Sequence, residues 1–339
     1  MTINQPKLSI VCPSYNHGDY VSDFINSVLN QTEQDFELII VDDASTDHNV
    51  QEIRHFNDHR ITLIQHSFNQ GINATLGHAI EHAKADIIGM SASDDMLEPT
   101  YIEAVLQAFS NPEIGVVYVP IQYMAANNEL LDIMIKLPKN ETRFQILERS
   151  FDDHNPLPSP GMAVRKDHIR QLLPFPAGMF QYQDWKINNQ LLLKHEVEFL
   201  HVPLLRYRRL ATGVDSISDA AVLRKQLETT PLMNTFLEIK DVNLLTQIFG
   251  SRLDIYGCPT SDTIPYFLSR LALESPDQNK QYWGYQTLLT FLSEPDQLTR
   301  LHELYGFTFK DFIGLVPLPV PPPLPRTSLW EWVRNCFSK

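Results

Sequence analysis

The sequence predicts an α/β protein, with a mixed but mainly parallel sheet covered by helices and continued by a mainly α-helical C-terminal extension. Three observations lead there. Between residues 8 and 119, short β-branched runs alternate with amphipathic helical patterns, the rhythm of βαβ units with right-handed crossovers. Two of those runs end in adjacent carboxylates, Asp42-Asp43 and Asp94-Asp95. From about residue 219 to 305 the patterning is mainly helical. In an open α/β sheet, ligands bind beyond the carboxyl ends of the strands, so both acidic pairs are expected to face one crevice. Clustered carboxylates stay ionised together only with hydrogen-bond donors, a cation or a cationic partner nearby. A solvated surface loop would explain one such pair; two at equivalent strand ends favour a site.

The elements follow in order. Residues 8–12 read as a buried strand stopped by Pro13. Residues 20–31 place Val21, Phe24, Ile25, Val28 and Leu29 on one helical face. A strand over 38–41 precedes a helix over 47–56, with Asp47 suited to be its N-cap. Strands are expected over 61–65, 86–90 and 115–119, and helices over 72–83 and 99–109, the latter opening on Pro99. Beyond residue 120 the alternation loosens. Residues 130–136, 162–165 and 197–202 read as strands, 184–195 as a helix, and the Pro-rich stretch 155–160 as an ordered loop. In the extension, Tyr282, Tyr285, Leu288, Leu289 and Leu292 share a helical face. Residues 316–325 are Pro-rich and read as an extended polyproline arm, followed by an aromatic tail.

Composition narrows the function. The chain has 339 residues, 43% of them apolar, and a net charge of −14 from 27 basic and 41 acidic residues. That balance argues against a nucleic-acid binder that works by phosphate neutralisation. Cys12, Cys258 and Cys336 are far apart, without metal-ligand or redox spacing, which fits a reduced, cytoplasmic compartment. Residues 1–7 carry no apolar leader pattern, and no window approaches 18 uninterrupted apolar residues. The twelve histidines read as non-metal.

The pattern Ser9-Ile-Val-Cys-Pro-Ser-Tyr-Asn16, Gln31-Thr32, Phe36-Glu-Leu-Ile-Ile-Val-Asp-Asp-Ala-Ser-Thr-Asp47, Asn69-Gln-Gly-Ile72 and Ser93-Asp-Asp95 resembles family 2 glycosyltransferases of the GT-A fold, a Rossmann-like architecture. The resemblance is specific over residues 8–110, moderate to about 210 and absent beyond. It implies transfer of a sugar from a nucleotide-sugar donor to an acceptor hydroxyl, generally with inversion and a divalent metal, Mn²⁺ or Mg²⁺. The implied domains are residues 1–215 for the GT-A part, 216–315 for the helical extension, and 316–339 for the arm and tail.

Residue by residue, the resemblance implies the following. Tyr15 stacks on the nucleobase, although a half-buried loop aromatic explains it too. Pro13 contacts the base through its backbone. Asp43 accepts the imide N–H of uracil, which favours a UDP-sugar donor, while guanine also offers a ring N–H. Asp95 holds the metal, and Asp94 serves the ribose or a metal-bound water. Ala92 stands where an acidic residue often opens that motif, so one direct protein ligand and weak, donor-dependent metal binding are expected. Asp184, about ninety residues after Asp95 in Gln183-Asp184-Trp185, resembles the catalytic base, with Gln replacing the usual Glu; an N-cap role is the plainer alternative. Thr75-Leu76-Gly77 lacks side chains the family often turns to the diphosphate, and Leu210 stands near a frequent histidine. Arg208 or Arg209 is expected either to reach a phosphate or to sit on the surface.

Two other readings stand beside this one. A nucleotide-sugar-binding or scaffold protein without transfer activity is suggested by Ala92, Gln183 and Gly77. A nucleotidyltransferase is disfavoured because no Gly- and Lys-rich triphosphate loop follows the first strand. The expected acceptor is a glycan or glycoconjugate in polysaccharide synthesis. Trp330, Trp332, Val333 and Phe337 suggest either a peripheral membrane or protein contact, or a tail packed on its own domain.

Overall fold

β1 (Leu8–Ser14) continues through Pro13 instead of stopping there. The Ser14 carbonyl accepts from Asp43 N–H on one side of the strand, and the Val11 carbonyl accepts from Ser91 N–H on the other. Side alternation therefore points the missing Pro13 N–H the same way as Val11, past the last pair on that side, Val11↔Met90. No ladder hydrogen bond is lost, so proline is tolerated inside the strand.

The computed structural model describes residues 5–210 and 219–315. The expected arm and aromatic tail lie outside the described residues. After β1 come α1 (Val21–Leu29), β2 (Phe36–Asp42), α2 (Asn49–Arg54), β3 (Ile61–Gln65), α3 (Ile72–His82) and β4 (Ile87–Met90). These match the expected order; the three helices are shorter than expected, β2 is longer at both ends, and β3 has the expected bounds. Asp47 is not the N-cap of α2; His48 holds that place, and the Asp47 carboxylate accepts from Asn49 N–H and from Gly18 N–H. β5 (Met96–Leu97) is followed by α4 (Tyr101–Ala108), which starts after Pro99, and then by β6 (Ile114–Tyr118). β7 (Ile121–Met124), β8 (Leu130–Ile135), α5 (Arg143–Asp152), β9 (Ala163–Arg165), α6 (Lys166–Arg170), α7 (Gln183–Lys194), β10 (Glu196–Phe199) and β11 (Leu205–Arg208) complete the sheet region.

The main sheet has seven strands in the order β10-β6-β9-β4-β1-β2-β3. All neighbours are parallel except β9, which runs antiparallel to both β4 and β6. Its core is Leu8, Ile10, Leu38 and Ile40 against the apolar faces of α1 and α4, including Phe24, Val28, Ile102 and Val105. A second, four-stranded sheet has the order β5-β11-β7-β8. From β1 the chain steps to β2 and β3 on one side, then returns to place β4 on the other. The gap between the carboxyl ends of β1 and β4 is therefore the topological switch point where such sheets bind ligands.

The chain divides into two compact units, and the first runs past the expected boundary at 215 to include residues up to 239 and 243–250. Aromatic packing explains this. Phe151 of α5 meets Phe236 and Phe249 edge-on, at 4.9 and 5.0 Å between ring centres. α8 (Asp219–Met233) and most of α9 (Val242–Phe249) thus belong with the sheet. The second unit contains α10 (Ile264–Leu273), α11 (Gln278–Leu292), α12 (Gln297–Tyr305) and α13 (Phe309–Gly314). The buried face of α11 is Trp283, Gly284, Leu288 and Phe291, whereas Tyr282 and Leu289 of the expected face are exposed. Gly284 sets that orientation, because a Cβ there would lie 2.8 Å from the Ser269 carbonyl oxygen of α10. Among the described residues, no helix is long and apolar enough to cross a membrane.

Candidate active site

Register brings the motifs to one edge. Ser14 pairs with Asp42 across β1–β2, and Val11 with Met90 across β1–β4. Tyr15, Asp43, Asp94 and Asp95 therefore follow three adjacent strand ends, with Pro13 in the last residues of β1. A buried polar chain ties these ends together. His17 Nδ1 meets Ser93 Oγ at 2.8 Å, Ser93 Oγ donates to Ser14 Oγ at 2.8 Å, and Asn49 Nδ2 donates to Asp42 Oδ1 at 2.7 Å while also bonding Ser14. Sequence reasoning had singled out none of His17, Ser14, Asn49 and Ser93 as members of this chain, since hydroxyl and amide partners carry no spacing signal. Asn16 and Ala44 both adopt positive φ, 54° and 61°. Such strain persists where surrounding bonds over-determine it; here Asn16 N–H donates to Ser45 Oγ and Asn16 Oδ1 accepts from Thr46 N–H.

Asp43 is buried and holds a loop. Its Oδ1 accepts from Gln70 N–H and faces His66 Nδ1, each at 2.8 Å, and its Oδ2 accepts from Gly71 N–H at 2.8 Å. Burial raises its pKa, but the two amides and the His66 ring outweigh that and hold the carboxyl below the usual carboxylate range. His66 Nε2 continues to His78 Nδ1 at 2.9 Å. Tyr15 is 43% exposed.

The second acidic pair is arranged differently. Asp95 is fully buried; its Oδ1 accepts from Arg208 N–H at 3.0 Å, and its Oδ2 has no hydrogen-bond partner. Burial, and then the charge of Asp94, push the Asp95 carboxyl well above the ordinary range. Asp94 is half-buried, with Oδ1 3.6 Å from His17 Nδ1. An orphaned carboxylate oxygen beside a second acidic group fits a cation. Among the described residues there is no group of three or more candidate metal ligands, so these two carboxylates suit an ion whose remaining ligands come with a donor.

Arg208 corrects both sequence expectations. Its side chain is fully buried rather than on the surface, and it is engaged with the protein rather than free for a phosphate. Its Nε donates to the Asp94 carbonyl at 2.6 Å, one terminal nitrogen donates to the Ala126 carbonyl at 2.8 Å, the other lies 3.4 Å from Asp23 Oδ2, and the guanidinium sits over the Tyr20 ring. Arg208 thus shapes the Asp94-Asp95 turn.

Asp184 lies in the first turn of α7, whose N-cap is Tyr182. It is half-buried; its Oδ1 accepts from Trp185 N–H at 2.7 Å and its Oδ2 from Asn155 Nδ2 at 3.1 Å. The Pro-rich stretch that begins at Asn155 is ordered, because Asn188 of α7 donates to the Leu157 carbonyl. It then returns to β4, where Gly161 N–H donates to the Met90 carbonyl at 2.8 Å. Asp184 is in this way connected to the same sheet edge as Asp95.

Residues 9–173 match the sequence model described as Glycosyl transferase family 2. The chain carries a family 2 glycosyltransferase domain. An uncharacterised glycosyltransferase of Nostoc sp. is 23% identical over 90% of this chain and 94% of its own length. TuaG of Bacillus subtilis, named for teichuronic acid biosynthesis, is 31% identical over 42% of this chain and 57% of its own. Among solved structures, S. aureus TarS 1–349 aligns over 88% of this chain and 90% of its own with TM-score 0.56 and 15% identity; that protein is also seen with UDP-GlcNAc. The mannosyltransferase PcManGT of Pyrobaculum calidifontis, in complex with GDP-Man and Mn²⁺, aligns over 99% of this chain and 89% of its own, with TM-score 0.53 and 14% identity. At these identities the structures establish the fold: a GT-A sheet with a mainly helical C-terminal region.

Proposed function

We propose that this glycosyltransferase moves a sugar from a UDP-linked donor to an acceptor hydroxyl, with inversion, in the synthesis of a polysaccharide or glycoconjugate. Asp184 takes the proton of the acceptor hydroxyl as its oxygen bonds to the anomeric carbon. The bond from that carbon to the diphosphate oxygen breaks, and its electron pair leaves with the diphosphate. Attack from the opposite face inverts the centre. Tyr15 stacks on the base, the Pro13 backbone lines it, Asp43 accepts its N–H, and Asp94 serves the ribose. Asp95, with Asp94 beside it, would hold Mn²⁺ or Mg²⁺, which when bound neutralises charge on the departing diphosphate.

The observation that carries this reading is the unequal state of the two acidic pairs at one switch point. Asp43 has three donors, which leave its Oδ2 one unused lone pair. A single acceptor position suits the one imide N–H of uracil better than the two adjacent donors of guanine. Asp95 keeps an orphaned oxygen at the end of the strand across the gap, where a diphosphate would follow the base. The nucleotide-sugar class is supported by the UDP-GlcNAc and GDP-Man complexes of the two structural relatives, and the polymer setting by the name of TuaG.

The test is nucleoside diphosphate release from a panel of UDP-glucose, UDP-GlcNAc, UDP-galactose, UDP-glucuronate and GDP-mannose, with Mn²⁺, Mg²⁺ or chelator. One UDP-sugar should dominate, and Asp184→Asn should lower its turnover about 10³-fold with UDP affinity unchanged. Normal turnover by Asp184→Asn, or preference for GDP-mannose, would overturn the assignment.

A further inference from the structure

Glu228 of α8 is a buried carboxylate, 7% exposed, whose hydrogen bonds all go to one short segment. Its Oε1 accepts from Phe180 N–H at 2.9 Å, and its Oε2 from Gln181 N–H at 2.8 Å and Tyr182 N–H at 2.9 Å. Three consecutive amides converging on one carboxylate form charge-assisted bonds, the strong kind. Tyr182 is the N-cap of α7 and has no side-chain capping bond of its own; Glu228 supplies the negative group that the helix N-terminus favours. The same segment is held from its other end. Asn73, in the first turn of α3, donates through Nδ2 to the carbonyls of Pro176 and Met179, at 2.6 and 2.8 Å. α3 begins directly after Gly71, whose N–H is bound by Asp43. Residues 176–182 are thus clamped between the loop that Asp43 organises and α8, and Asp184 follows two residues later.

We infer that Glu228 is a positioning residue for the transfer reaction: by fixing the start of α7 it sets where the Asp184 carboxylate meets the acceptor hydroxyl. The inference rests on Asp184 being the base. No reacting atom touches Glu228. Its effect comes through geometry, since a misplacement of about 1 Å can slow a positioned reaction about 10²-fold. Gln at this position keeps the shape and one acceptor oxygen but cannot satisfy all three amides.

The experiment compares the wild type, Glu228→Gln and Asp184→Asn, using the best donor–acceptor pair of the panel for kcat and KM, and UDP itself for binding. Expected for Glu228→Gln is a kcat reduced about 10-fold or more, with donor KM and UDP affinity within about twofold. Glu228→Asp, which keeps the charge but draws the carboxylate back by one methylene, should fall between Gln and wild type; it carries the test under the same criteria if the Gln variant does not fold. An unchanged kcat, or a parallel loss of kcat and UDP affinity, with Asp184→Asn inactive, would overturn the positioning role. An active Asp184→Asn would overturn instead the assignment of the base.

Discussion

The two acidic pairs end adjacent parts of one sheet, follow similar β-branched runs, and yet are opposites chemically. At the first, Asp42 accepts from Asn49 and Ser45 and Asp43 from two loop amides with His66 alongside. At the second, Asp95 has one amide on Oδ1 and nothing on Oδ2, and burial with Asp94 raises its pKa. The protein satisfies the first pair internally and leaves the second to be completed from outside. A satisfied carboxylate supports its loop in the free protein, whereas an orphaned one is a standing strain that a bound cation relieves. Similar sequence thus yields a carboxylate held by its own loop at one strand end and one with an unpartnered oxygen at the other.

The contrast is broken most sharply at Asp95. Asp95→Asn removes the charged oxygen, so turnover should fall about 10²–10³-fold and metal stimulation should vanish. Thermal unfolding of the free variant should occur no lower than in wild type, because a buried carboxyl group with one unpartnered oxygen has been replaced. A lowered unfolding temperature would mean that Asp95 is structural, like Asp43. Next in size is Arg208→Met, which strands the acceptors its guanidinium covers and loosens the turn holding Asp94 and Asp95. A loss of about 3 kcal/mol in chemical unfolding is expected.

Asp43→Asn should be the reverse of Asp95→Asn. Replacing one acceptor oxygen with an amide that faces an N–H should destabilise the protein by about 1–3 kcal/mol at neutral pH. Because the folded pKa of Asp43 is depressed, its contribution is present above the unfolded value of about 3.9 and lost as pH falls through the lower folded value. The stability gap between wild type and variant should therefore be full near pH 7 and close once the pH falls below the depressed folded value; a gap independent of pH would show that the charge is irrelevant. The smallest effect is expected at Tyr15→Ala, a loss of about 1 kcal/mol in UDP affinity by titration, with stability unchanged.

How legible these features were depends on where their information lies. β1 through β4 carry it locally, in runs such as Leu38-Ile-Ile-Val41 and in helices whose apolar positions recur at helical spacing, so their order was readable. Strand direction at β9 was not, because three residues cannot tell parallel from antiparallel pairing. α5 was missed too: its signal is the capping box of Thr142 and Gln145, with a polar helix behind it. The placement of Asp43 and of Asp94-Asp95 beyond strand ends was legible, because there the motif brings its own neighbours. It was illegible where partners come from afar, as with Arg208 on Asp95 and Glu228 on Phe180, 113 and 48 positions apart. The burial of Arg208 turned a suspected phosphate contact into a structural one, which no local pattern encodes.

The central claim, that Asp95 waits for a cation while Asp43 does not, is tested most directly by titrating UDP into wild type, Asp95→Asn and Asp43→Asn, each with Mn²⁺ and with chelator. Mn²⁺ should tighten UDP binding about tenfold or more in wild type and in Asp43→Asn, though Asp43→Asn binds more weakly throughout, and should do nothing in Asp95→Asn. Equal enhancement by Mn²⁺ in Asp95→Asn, or none in wild type, would contradict it.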